Sequence, residues 1–165
     1  MHRVALLAAA YEHIARTRMA GVPLLNAALR TEAVGFEAQL DDDAEEGVLG
    51  VLVTPWFMNL VWLPLADGEP TALGATRERT LGGTALPFIG SEAAGCRFEA
   101  CSLFSPMFEF ADPAAARAVA QAVLAQLRRP VAAPATAPAL PATSRPVPNP
   151  ARRGLLFGCR GAEAR

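Results

Sequence analysis

The chain contains no lysine. All 15 of its basic residues are arginine, its only histidines are His2 and His13, and its only tyrosine is Tyr11. Without lysine there is no Schiff-base nucleophile, no lysine general base and no phosphate-loop amine. Neither G-x-S-x-G nor G-x-G-x-x-G occurs, which removes the nucleophile elbow and the dinucleotide fingerprint. His13 falls on the polar side of the first amphipathic segment, where a solvated surface residue is expected. Cysteine is scarce: Cys96, Cys101 and Cys159. An odd number in a chain of 165 residues does not make a disulfide framework and points to a reducing cytosol. Cys96 and Cys101 are spaced C-x4-C, whereas zinc sites use closer pairs, usually two of them. They read as small core residues. No run of about 20 apolar residues is available for a membrane helix. No metal or cofactor is expected, and nothing in this inventory favours an enzyme.

Charge is unevenly placed. Residues 1–112 carry 15 acids and 7 arginines, a net −8, and residues 113–165 carry 8 arginines and 1 acid, a net +7. The overall charge of −1 gives no bulk attraction to nucleic acid or anionic lipid. Five acids in six residues, Asp41, Asp42, Asp43, Glu45 and Glu46, predict an exposed loop. They lack the spacing of a calcium loop.

The longest apolar stretch is Val48–Pro64, VLGVLVTPWFMNLVWLP. Pro55 divides it, and 17 residues exceed a typical strand of about five or six. Two buried strands, Val48–Thr54 and Leu60–Leu63, joined at Pro55–Met58, are expected. Val4, Leu7, Tyr11 and Ile14 share one helical face, with Glu12 and Arg16 at supportive spacing on the other, so a helix should run to about Arg18. The start has a passing likeness to a secretory signal, but the helical pattern continues beyond it and no export is expected. Ala33–Leu40 reads as a strand. Arg77–Leu86 reads as a strand with a bulge or close backbone approach at Gly82-Gly83, and Gly90–Gly95 as a loop. Cys96–Ala100 alternates, with Arg97 and Glu99 expected in solvent.

Asp112-Pro113 opens a second helix, with an aspartate cap and proline at its first position. Ala116, Val119, Ala120, Val123 and Leu127 form its apolar face, and Pro130 ends it. Residues 130–150 hold 7 of the 14 prolines and cannot build a core. Three parts are expected: an α+β domain over 1–129, a Pro/Ala-rich linker over 130–150, and an arm over 151–165 that docks on the domain through Leu155-Leu156-Phe157. The fold class is α+β: an antiparallel β-sheet packed with an N-terminal and a C-terminal helix, followed by a proline-rich tail. Arg152-Arg153 before these apolar residues is like a twin-arginine export motif placed at the wrong end of the chain.

Two aromatic clusters flank proline bends: Trp56, Phe57, Met58 and Trp62 in one, Phe104, Met107, Phe108 and Phe110 in the other. Methionine among aromatics suits an adaptable peptide-binding surface.

TPWFMNLVWLP, CSLFSPMFEFAD (Cys101–Asp112) and RRGLLFG (Arg152–Gly158) together resemble the HybE/HupJ family of [NiFe]-hydrogenase assembly chaperones. The blocks fall in the family's order and, with their linking segments, cover most of the chain. The resemblance implies a cytoplasmic protein that holds a hydrogenase small-subunit precursor, through its twin-arginine signal peptide, until assembly is complete. The large subunit is a possible second partner. Some relatives carry a rubredoxin-like module; the absence of C-x-x-C here implies no iron site. An apolar groove of Trp56, Phe57, Met58, Trp62, Phe104, Met107, Phe108 and Phe110, rimmed by Asp41, Asp42, Asp43, Glu45 and Glu46, is the expected contact. A chaperone of the mature small or large subunit, or a cysteine-based redox or metal-delivery protein, remains the alternative.

Overall fold

The computed structural model describes residues 2–65 and 71–128. The elements run α1 (His2–Arg16), β1 (Glu32–Leu40), β2 (Glu46–Val53), β3 (Met58–Pro64), β4 (Thr76–Leu81), β5 (Thr84–Ala93), β6 (Cys96–Phe104) and α2 (Pro113–Leu127). The linker over 130–150 and the arm over 151–165 lie outside the described residues.

All six strands join one antiparallel sheet in the order β1-β2-β3-β6-β5-β4. Two three-stranded meanders, β1-β2-β3 and β4-β5-β6, therefore meet where β3 pairs with β6, with Leu60 opposite Cys101 and Trp62 opposite Glu99. The helices cover opposite faces. Ala116, Ala120, Leu124 and Leu127 of α2 pack with Leu49, Val51, Met58, Leu60 and Trp62. Val4 and Leu7 of α1 pack with Phe36, Leu52, Val61, Leu63 and Phe98. Successive residues of a strand point to opposite faces, and here both faces are dry. That is why Val48–Pro64 is apolar almost throughout rather than alternating.

The helix boundaries follow local chemistry. The Asp112 carboxylate accepts a hydrogen bond from the Ala115 N–H at 2.8 Å, with Pro113 opening α2. In α1 Glu12 pairs with Arg16 at 3.0 Å, with both side chains largely in water.

Three sequence expectations change. Gly82 and Gly83, at φ 57° and 75°, form the two-residue turn of a hairpin rather than a bulge. Left-handed backbone at both turn positions matches the twist of paired strands, so Arg77–Leu86 is two strands. The expected loop Gly90–Gly95 is largely strand, with its turn at Ala94-Gly95. Glu99 is buried and Arg97 half-buried, not solvated, because the sheet curls over that face.

The curl is visible in its edge contacts. β1 and β4 are the two edges of the sheet, yet the β1–β2 turn reaches β4. The Asp42 N–H donates to Thr80 O at 2.9 Å, and the Gly83 N–H donates to the Asp42 carboxylate at 2.9 Å. The sheet thus closes at one end into a partial barrel. Gly47 permits this packing. A Cβ there would sit 2.3 Å from the Trp62 ring.

Candidate functional site

Inside the closed end lies a charged cluster that no spacing rule exposes. Arg79 Nε donates to Glu99 Oε2 at 2.5 Å and Nη1 donates to Asp41 Oδ2 at 2.6 Å. All three side chains are 1% exposed. The Arg79 guanidinium also reaches Glu45 at 2.8 Å and lies 4.6 Å over the Trp62 ring. Thr71 donates to Glu99 at 2.6 Å, and Arg77 pairs with Glu45. Burial pushes the Glu99 carboxyl up, but the hydrogen bonds from Arg79 and Thr71 more than reverse it and leave it below the ordinary value. The Arg79 hydrogen bond likewise holds Glu45 low. Every buried charge here meets its opposite, which is the condition for tolerating it. The cluster ties the β1–β2 turn to the far edge of the sheet.

The expected acidic rim is corrected by this arrangement. Asp41 is buried as a structural anchor, and Glu45 is occupied by two arginines. Only Asp42, Asp43 and Glu46 remain exposed. They also sit at the wrong end for the groove. β2 begins at this loop and ends at the Trp56 bend, and its eight residues span about 25 Å.

The two aromatic bends do come together. Met58 pairs with Phe104 across β3 and β6, and Ser105 Oγ donates to Trp56 O. Asn26 knits the region. Its N–H donates to Pro55 O, and its side-chain amide donates to Met107 O and Phe110 O at 2.9 and 2.8 Å. Thr54 fixes the turn itself, its hydroxyl accepting from the Phe57 N–H at 3.0 Å. Part of the expected groove is nonetheless core. Met58, Trp62, Met107 and Phe110 are buried, and Phe104 stacks edge-on against Phe110 with centroids 5.2 Å apart.

The surface that remains is smaller and lies between α1 and the bends. Tyr11 meets Phe57 edge-on at 5.3 Å and Trp56 at 6.3 Å. All three are half-buried. Phe108 projects from the loop after β6, 57% exposed, beside the exposed Glu109. A cleft lined by Tyr11, Ile14 and Ala93, with Glu92 and Arg18 at its sides, opens between α1 and the β5–β6 hairpin. A second, holding Glu12, Arg16, Leu29, Arg30 and Pro55, opens on the other side of α1. Tyr11, Glu12, Glu92 and Glu109 were not singled out from the sequence. Nothing local marks them, since α1 and the hairpins assemble this end only in three dimensions.

His13 and Glu92 line the same cleft, but no hydrogen bond joins them among the described residues, and no nucleophile stands beside them. No cluster of histidine, cysteine or carboxylate with metal-holding geometry occurs among the described residues. Cys96 and Cys101 are buried, and burial raises the Cys101 thiol pKa, which disfavours the reactive thiolate. Cys159 lies outside the described residues. No described helix is long and apolar enough to cross a membrane.

The described residues thus present a half-buried aromatic surface between α1 and the Trp56 bend, flanked by side chains of both charges. The comparisons with known proteins place the chain in a family. Residues 2–158 match the family described as "[NiFe]-hydrogenase assembly, chaperone, HybE", and the chain belongs to that family. It is 45% identical over 170 residues to Protein HoxT of Cupriavidus necator, covering 98% of this chain and 91% of that protein. It is 44% identical over 126 residues to the hydrogenase expression/formation protein HupJ of Bradyrhizobium diazoefficiens, covering 76% of this chain and 71% of that one. The solution structure of HybE from Escherichia coli superposes with a TM-score of 0.61 at 24% identity, covering 97% of this chain and 91% of that one. It shares the fold. The protein is a hydrogenase assembly chaperone by family, a role that is not catalytic.

Proposed function

We propose that this chaperone binds the precursor of a [NiFe]-hydrogenase small subunit in the cytoplasm, through its twin-arginine signal peptide, and delays export until assembly is complete. The observation that carries the reading is the half-buried Tyr11–Trp56–Phe57 surface. A twin-arginine signal presents an arginine pair followed by an apolar stretch. The apolar stretch suits half-buried aromatics that are already ordered, since little side-chain entropy is lost on contact. The arginine pair suits the exposed carboxylate of Glu92, which lines the same cleft as Tyr11. The acidic loop at the opposite end takes no part.

Calorimetric titration with a synthetic signal peptide, against a scrambled peptide of equal composition, tests this. Selective binding with a negative heat-capacity change is expected. Equal or absent binding of both peptides overturns it and moves the contact to the mature small or large subunit, which co-purification with each subunit then separates.

A further inference from the structure

The Trp56 bend closes on itself, but it is held in place from outside. Thr54 supplies the internal bonds. Its N–H donates to Phe57 O at 2.8 Å, and its hydroxyl accepts from the Phe57 N–H at 3.0 Å. These bonds fix the shape of the turn but not its place against α1. One residue, Asn26, sets that place. Its N–H donates to Pro55 O at 2.8 Å. Its side-chain amide donates to Met107 O at 2.9 Å and to Phe110 O at 2.8 Å. Its side-chain oxygen accepts from the Ala28 N–H at 3.0 Å. Met107 and Phe110 belong to the core that α2 covers, so Asn26 ties a surface bend to the interior. The bond from Ser105 Oγ to Trp56 O is longer, at 3.4 Å, and exposed. We infer that Asn26 is the positioning residue of the aromatic surface, acting on a client through Trp56, which it holds against Tyr11. The inference rests on the reading of Tyr11–Trp56–Phe57 as the signal-binding surface.

Asparagine meets the demand at this position where residues of similar size do not. Its amide offers two donors, and both are spent on backbone carbonyls, while its oxygen turns the chain at Ala28. Aspartate has the same shape but no donor, and it would set a carboxylate against two carbonyl oxygens. Glutamine carries both donors on a stem one methylene longer. Alanine leaves both carbonyls without this partner. The effect on binding follows from population. Aromatics that are already ordered give up little freedom on contact, which is the advantage of a preformed surface. Where only about a tenth of the molecules keep the bend in place, apparent affinity falls about tenfold. A residue that acts in this way loses its influence once the group it positions is gone, and a double-mutant cycle reads that loss directly.

The experiment titrates a synthetic twin-arginine signal peptide, with its scrambled control, into full-length wild type, Asn26→Ala, Trp56→Ala and the double variant. Asn26→Ala should weaken selective binding about tenfold on its own, and no more than about twofold when Trp56→Ala is already present. Asn26→Asp should lose more than Asn26→Ala. The chain's two tryptophans give a second readout through their indole N–H resonances, assigned with Trp56→Ala. In Asn26→Ala the Trp56 signal should shift or broaden, while that of the fully buried Trp62 stays in place. Equal losses in the two backgrounds, or a Trp56 signal that does not change, overturn the inference and leave the signal-binding reading intact. Should Asn26→Ala lose the Trp62 signal as well, Asn26→Ser takes its place, since serine keeps an oxygen for the Ala28 N–H and lacks the paired amide donors. A serine variant that is also unfolded makes Asn26 a folding residue and overturns its positioning role. A wild type that binds the signal peptide and the scrambled control alike removes the signal-binding reading, and the role of Asn26 falls with it.

Discussion

Replacing Arg79 by methionine tests whether the closed end of the sheet is held by its buried charges. Methionine keeps much of the aliphatic volume and removes the guanidinium. The change deletes ion pairs of 2.5 Å to Glu99 and 2.6 Å to Asp41, and the contact over Trp62. Both carboxylates are 1% exposed, so water cannot replace the arginine. Breaking a buried pair from one side costs roughly 3–5 kcal/mol, and the cation–π contact adds about 1 kcal/mol. Glu45 adds little, being half-exposed and still paired with Arg77. Against a total stability of about 5–15 kcal/mol, the variant should be badly weakened but measurable. Urea unfolding followed by tryptophan fluorescence should show a midpoint about 2 M lower, for a slope of roughly 2 kcal/mol/M.

The pH dependence supplies the sharper check. In the wild type the folded-state pKa of Glu99 lies below its ordinary value. Its contribution is therefore complete above the ordinary carboxylate range and lost as pH falls through the lowered value. Without Arg79, burial outweighs the remaining Thr71 hydrogen bond and the stranded Glu99 carboxyl rises above the ordinary range instead. Protonation then relieves it, so the variant's deficit should shrink as pH falls into that range. A deficit under about 1 kcal/mol at neutral pH, or one that does not shrink on acidification, would refute the electrostatic account.

Four further outcomes are expected. Gly47→Ala should cost about 2 kcal/mol or more in urea unfolding, because its Cβ would stand 2.3 Å from a fully buried Trp62 ring. Asp112→Ala should cost about 1 kcal/mol and lower the thermal midpoint by roughly 3 °C through loss of the α2 cap; an unchanged midpoint would remove that role. Trp56→Ala should weaken signal-peptide binding by about tenfold or more in calorimetry, as expected of an aromatic anchor. The pair Asp43→Asn and Glu46→Gln should leave that affinity within about twofold at physiological salt, since their charges lie more than a Debye length from the aromatic end; a large loss would return the acidic loop to the site.

Local chemistry was readable wherever one element decides it. The α1 face of Val4, Leu7, Tyr11 and Ile14, the Asp112-Pro113 start of α2 and the buried hairpin of Val48–Pro64 depend on spacing and caps that act within a few residues. The hairpin through Gly82-Gly83 was missed, because a bulge explains paired glycines equally well when no partner strand is known. Glu99 was misplaced for a similar reason. Alternation assigns a residue to a face, and it does not say whether that face meets water. Arg79, 20 residues away, turns the polar face of β6 into interior.

The sequence by itself determined the class of the protein: an α+β chain without lysine, with few histidines and thiols, two aromatic bends and three blocks of the HybE/HupJ family. Those properties are carried by residue types and short spacings. Only the tertiary structure decided which aromatics remain at the surface and where the acids lie. Strand order brings the Trp56 and Phe108 bends to one end and sends the acidic loop to the other. The curl of the sheet then buries Asp41 against Arg79. Both outcomes depend on pairings between residues far apart in the chain, and no local pattern encodes the distance between the two ends of a strand's neighbours.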